Sequence, residues 1–358
     1  MSGRAPVWDP AFDELASTMR AAIFTGPGTR LVLGTIPRPE PAPGEILLKV
    51  VACGLCHSDL HYMDHGVPTF KAPPLILGHE ISGTVVRVGP GVDRERIGTS
   101  VLLAPVTSCG DCAMCRTGRE NVCVRQRMLG NTIDGGFAEF VVAPARDAFE
   151  IPADVPLEEA CIIADALTTA FHAITRRARV EAGETVVVVG CGGLGLNVVQ
   201  VASLVGAKVI AIDIDPSKLD LARALGAAAT IDARDGDAAK RVRAETGGGA
   251  DVAVDAIGNP MTQEQALASL RTGGRLLLLG FAAENMSLPG GRVTYREITV
   301  IGTLGCRPVD FPVVMDLVRR GRLALGRLVT HRHRLDAIND GFDALRRGEG
   351  VRHIVVMS

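Results

Sequence analysis

The chain has 358 residues, 38 basic against 40 acidic side chains, and a formal charge of −2. That balance gives no electrostatic reason to expect nucleic acid or an anionic membrane as a partner, and 4 % aromatic content argues against a base-stacking surface. The length exceeds one ordinary core, so two domains are expected.

In chain order, "MSGRAPVWDPAFDELASTMR" comes first, with two prolines, several acids and no apolar h-region. It is expected to be a loosely docked extension over residues 1–19 and not a signal peptide. No apolar run is long enough to span a bilayer. From about Arg20 to Pro156 the chain reads as short β-like runs broken by Gly and Pro, such as "GEILLKVVACG", "GHEISGTVVRVG" and "GGFAEFVVAPA". Such spacing suggests a barrel or sandwich. "LEEACIIADALTTAFHAIT" then reads as helix. Beyond it, strands such as "ETVVVVG", "KVIAIDI", "DVAVDAIG" and "GGRLLLLG" alternate with helices. Apolar strands joined by helices predict an α/β, doubly wound parallel sheet. From about Gly305 mixed pieces return, as if the tail rejoins the first domain.

"VVVVGCGGLGLN" holds Gly190-x-Gly192-x-x-Gly195 between a predicted strand and helix. Gly190 permits the tight turn, Gly192 lets backbone approach a pyrophosphate, and Gly195 lets helix pack on strand. With Gly193 and Leu194 they open a helix whose free N–H groups suit phosphate. Asp213 ends the next strand, placed for the adenosine ribose hydroxyls, and its charge opposes a 2′-phosphate. NAD is therefore expected over NADP.

Nine cysteines, an odd number, argue against a secreted disulfide framework and for a reducing cytoplasm. Cys109, Cys112, Cys115 and Cys123 fall within fifteen residues, the spacing of a closed four-thiolate zinc site. Fe–S ligation is the rival. A zinc ribbon on nucleic acid would conflict with the charge. Zinc there would supply on the order of 10 kcal/mol of apparent folding free energy. "CGLCHSDLH" adds Cys53 and Cys56, and "LGHEISG" adds His79 and Glu80. By spacing alone the Cys-x-x-Cys pair is a redox dithiol, half a zinc site, or one ligand beside a bystander.

Taken in chain order, "CGLCHSDLH", "LGHEISG", the Cys109–Cys123 cluster and "VVVVGCGGLGLN" resemble the zinc-dependent medium-chain alcohol dehydrogenases, from Met19 to the end of the chain. The resemblance implies a GroES-like catalytic domain from residues 20–164 and 305–358, with a Rossmann NAD-binding domain over 165–304. It implies Cys56, His79 and Asp165 as catalytic zinc ligands, Glu80 as a second-sphere or exchangeable carboxylate, and Asp59 fixing the histidine ring by a hydrogen bond. Aspartate stands where many relatives carry cysteine, with Cys161 as its nearby rival. Cys53 is then a packed thiol. Ser58 becomes the hydroxyl taking the substrate proton, passed through a cofactor ribose hydroxyl to His61. His57 and Arg352 match phosphate contacts, Lys218 a ribose contact, and Thr169 a nicotinamide-side contact. Two zinc ions per chain, NAD, and a small alcohol or carbonyl substrate follow, in a homodimer or homotetramer. A hydroxyacyl-CoA thioester dehydrogenase and a metal-free quinone or enoyl reductase are the alternatives. No motif claims His65, His172, His331 or His333, which are expected on solvated faces.

Overall fold

The computed structural model describes residues 15–281 and 284–357. The first fourteen residues of the expected extension lie outside that range, and the first strand, Thr18–Phe24, begins just before Arg20. Two compact units divide the described chain. One runs up to Asp165 and resumes at Leu325; the other is Ala166–Ala324.

The first unit is built on a seven-stranded sheet. Glu45–Leu55 lies at its centre, pairing antiparallel with Glu80–Val88, Phe140–Pro144 and Arg352–Val356. Its apolar run buries Ile46, Leu47, Leu48 and Val50 with Phe137, Phe342 and Val85 in one core. Val329–Arg334 forms an edge, parallel to Arg352–Val356.

The second unit carries six strands, all parallel, in the spatial order Ala229–Asp232, Lys208–Asp213, Thr185–Val189, Ala250–Asp255, Leu270–Leu278, Thr299–Gly302. The central strand reads TVVVV because both faces are covered: Val186 to Val188 are fully buried. The strand order reverses beside Thr185–Val189, where open α/β sheets place their ligand crevice. The expected doubly wound sheet is thus present.

Three expectations change. The single helix expected after Leu157 is broken into Leu157–Ala160, a 3-10 turn at Cys161–Ile163, a helix Ala166–Phe171, and a wide π turn at His172–Arg177. Apolar spacing could not foresee the break, because Cys161–Ile163 and Ala166–Phe171 on either side of it bury every residue and leave no polar face to mark it. His172 is buried, not solvated, with Nδ1 3.6 Å from Asp310 Oδ2. His331 is exposed as expected, but His333 is half-buried and its Nε2 lies 3.0 Å from Nδ1 of His353. That pairing joins residues on neighbouring strands, which local pattern cannot register.

Candidate metal and dinucleotide sites

The Glu45–Leu55 strand ends directly before Cys56, which caps the helix His57–Asp64. His79 precedes the strand Glu80–Val88, which pairs with that first strand so that Gly54 faces Glu80. Asp165 sits in the turn between the broken helical pieces. These segments bring ligand atoms of Cys56, His79, Glu80 and Asp165 within 4.8 Å of one another. Cys53 is fully buried and outside this group, its thiol pushed well up by burial. Cys161 is likewise buried, outside the group, and its thiol is raised by desolvation. Both are packed thiols.

His79 is 1 % exposed, yet neither ring nitrogen has a hydrogen-bond partner. Its Nε2 lies 3.5 Å from Asp165 Oδ2. Burial alone would depress this imidazole, but Asp165, Asp59 and Cys56 together hold it well above its usual range. A divalent cation would take the place of that proton. One thiolate, one imidazole and carboxylate oxygens make a zinc-type donor set, and the orphaned buried ring nitrogens fit it.

Asp59 is fully buried and accepts from the backbone N–H of Cys56 at 3.2 Å and of Gly78 at 3.3 Å. Its Oδ1 is 3.7 Å from His79 Nδ1, too far for the expected ring hydrogen bond. The carboxylate therefore ties together the two backbone segments that carry Cys56 and His79. Burial raises its pKa. Glu80 is fully buried as well; Arg352 donates to its Oε2, while Oε1 has no partner. Burial lifts this carboxyl and Arg352 opposes the rise. Arg352, expected at a phosphate, here gives its guanidinium to Glu80, and the side chain is only 7 % exposed. A residue that sequence reasoning missed is Gly54, where a Cβ would overlap the Glu80 carboxylate. Only the "CGLC" context hinted at it. Ser58 Oγ lies 3.5 Å from Cys56 Sγ, from which it accepts. His57 is exposed and His61 half-buried on the same short helix.

The second cluster is Cys109, Cys112, Cys115 and Cys123. Four of its sulfur pairs stand 3.4, 3.5, 3.8 and 3.8 Å apart, and no disulfide forms. A tetrahedron with zinc–sulfur bonds of about 2.3 Å has edges of about 3.8 Å, so the geometry fits a closed site. Backbone N–H groups of Cys109 and Arg125 donate to Cys123 Sγ.

In the second unit Gly190 takes a positive φ of 93° and ends the Thr185–Val189 strand. Gly192 caps the helix Gly193–Leu204 with no side-chain cap, and a Cβ on it would meet only open space. A Cβ on Gly195 would overlap the Gly190 carbonyl. Turn, open cradle and close packing therefore fall on the three glycines in that order, and the uncapped N–H groups of Gly193 and Leu194 suit an anion. Asp213 accepts from Cys191 N at 2.6 Å, Ile214 N at 2.8 Å and Asp215 N at 2.9 Å. It thus clamps the glycine loop, and Oδ2 keeps acceptor capacity. Lys218 is 4.0 Å from Asp215, and Thr169 is buried in the helix Ala166–Phe171.

A parallel sheet with a phosphate-type glycine turn, joined in one chain to a β-rich unit bearing two metal-type clusters, one of four cysteines and one of mixed sulfur, nitrogen and oxygen donors, defines the class of dinucleotide-dependent metal oxidoreductases. Residues 42–153 match the alcohol dehydrogenase GroES-like domain and residues 193–320 the zinc-binding dehydrogenase family. An alcohol dehydrogenase of Rhizobium meliloti (strain 1021) is 36 % identical, over 86 % of this chain and 90 % of its own. One of Geobacillus stearothermophilus is 32 % identical, over 92 % and 97 %. The solved structure of an NAD-dependent alcohol dehydrogenase superposes with a TM-score of 0.89 at 30 % identity, covering 95 % of this chain and 100 % of that one. Acetophenone reductase from Geotrichum candidum NBRC 4597, in complex with NAD, gives 0.86 at 29 %, covering 96 % and 98 %. The chain belongs to the zinc-dependent medium-chain alcohol dehydrogenase family.

Proposed function

We infer that this protein interconverts an alcohol with an aldehyde or ketone, using NAD and zinc. The convergence of Cys56, His79, Glu80 and Asp165 carries the reading. When bound, zinc supplies Lewis acidity toward a hydroxyl group and NAD supplies the hydride acceptor. Cys56, His79 and Asp165 hold the ion; one thiolate and one carboxylate balance its two positive charges. Glu80 stands as a second-sphere or exchangeable carboxylate, held by Arg352. Ser58, beside Cys56, takes the substrate proton, and His61, one turn further along the same helix, releases it near neutral pH. The N–H groups opened by Gly190, Gly192, Gly193, Leu194 and Gly195 hold the pyrophosphate, with His57 as a further contact. Asp213 and Lys218 address the ribose, and the Asp213 charge disfavours a 2′-phosphate. Thr169 faces the nicotinamide side. Cys109, Cys112, Cys115 and Cys123 hold a structural zinc.

Nine free cysteines suit a reducing cytoplasm. Among the described residues no helix is long and apolar enough to cross a membrane. The edge strand Thr299–Gly302 and its neighbours leave Val300, Leu304, Val309 and Val313 exposed, an edge suited to a second copy of the chain in a homodimer or homotetramer. The comparisons do not favour the CoA-thioester or metal-free alternatives.

The test combines zinc analysis with a panel of alcohols, aldehydes and CoA thioesters followed by NADH absorbance. Two zinc ions per chain and turnover of simple alcohols are expected. One zinc, or turnover of quinones or enoyl compounds alone, would overturn the reading.

A further inference from the structure

The helix His57–Asp64 carries His61 in its last turn and His65 at its C-cap. Their Nδ1 atoms lie 3.3 Å apart, and the rings are tilted by 59° with centroids 5.3 Å apart. Two imidazole nitrogens at that distance share one proton, one donating and one accepting, and this arrangement fits a second occupant. A transition-metal dication with nitrogen bonds of 2.0–2.1 Å in a tetrahedron separates two such ligands by about 3.3 Å. Positions i and i+4 also place both rings on one helix face.

The surroundings suit a cation. The rings stand at the carbonyl end of the helix, where the aligned peptide dipoles favour positive charge. The nearest ionic groups cancel: Asp64 binds Arg346 through two bonds of 2.7 and 2.8 Å, and Arg346 also reaches Asp343. Burial first, and the charge of His65 second, lower the pKa of His61. His65 is exposed and His61 half-buried, leaving an approach from solvent.

We propose that His61 and His65 form a chelating site for a transition-metal dication, separate from both cysteine-containing clusters, and that its occupation shuts the enzyme off by capturing the imidazole that releases the substrate proton. The shut-off rests on the proposed role of His61; the binding does not. No bond to carbon changes and no electrons move. The metal takes one Nδ1 lone pair from each ring, and the proton that the pair shared at Nδ1 passes through solvent to Nε2 of the ring that donated it, so no net proton is released.

The zinc-loaded holoenzyme is dialysed against Ni²⁺, and bound nickel and retained zinc are counted alongside turnover. One nickel per chain above two retained zinc ions is expected, with turnover falling at least about tenfold, the scale of a lost acid–base group. His65→Gln should lose the nickel and keep its rate in Ni²⁺ within about twofold, while His331→Gln behaves as the parent. Equal nickel binding by the parent and His65→Gln would overturn the site. Nickel bound through the pair with turnover unchanged would overturn the shut-off. Failure of the underlying function is read separately, as absent alcohol turnover before any nickel is added.

Discussion

Ser58 and Gly54 show how much rests on single side chains near the Cys56 group. Ser58→Ala removes the hydroxyl beside Cys56 Sγ without touching a ligand. Turnover should fall by about 100-fold or more, with both zinc ions retained on elemental analysis. Gly54→Ala acts oppositely, through space. Its Cβ would overlap Glu80 Oε2, the oxygen to which Arg352 donates. Glu80 must then shift within the group it shares with Cys56, His79 and Asp165, and we expect roughly a 10- to 100-fold loss of activity with zinc falling toward one per chain. At this scale the sequence was only partly legible. The four-cysteine cluster and the glycine turn declare themselves by local spacing. Cys56 against Cys53 did not, because both sit in one Cys-x-x-Cys pair and only the strand ending at Leu55 turns one inward to the core and the other to the cluster. The detachment of Asp59 from the His79 ring was equally hidden, being a matter of half an ångström and not of residue type.

Elements differ in what keeps them folded. The segment from Cys109 to Cys123 has a four-residue helix at Ala113–Arg116 and a 3-10 turn at Glu120–Val122, with almost no core of its own. Its order depends on the thiolates. Cys112→Ser should release one of two zinc ions and cost at least about 3 kcal/mol, roughly 10 °C in Tm, read by calorimetry with metal analysis. The helix Asp310–Arg319 is anchored differently. Asp310 is fully buried and accepts from Arg176 at 2.9 and 3.0 Å and from Arg307 at 3.3 Å. Burial would raise its pKa, but His172, Arg307 and Arg176 prevail and bring it to about 2. The unfolded chain titrates this group near 3.8, so the stabilisation is complete above that pH and drains away as pH falls toward 2. Asp310→Asn should lose about 2 kcal/mol at pH 7 and show a shallower acid-unfolding curve below pH 4. None of this anchoring was visible in sequence, since Arg176 and Asp310 lie far apart along the chain and neither belongs to a motif.

For the whole molecule, periodicity located the parallel sheet well because its strands are apolar on both faces. The β-rich unit was blurred, because two strands of its main sheet, Val329–Arg334 and Arg352–Val356, come from the far end of the chain. The apolar edge at Thr299–Gly302 makes a test of assembly. Val300→Lys should lower the mass seen by sedimentation toward one chain, and a parent protein already monomeric would refute the proposed oligomer. The discontinuity of the first unit has one more consequence, felt during synthesis. Arg352–Val356 fills the sheet beside Glu45–Leu55, and Arg352 is the counter-charge of Glu80. While the ribosome is still producing Ala166–Ala324, the nascent amino-terminal half holds a half-open sheet and an uncompensated glutamate. The inserted unit, continuous in sequence, can close outside the exit tunnel first, so the zinc-binding half matures later and waits on Arg352–Val356.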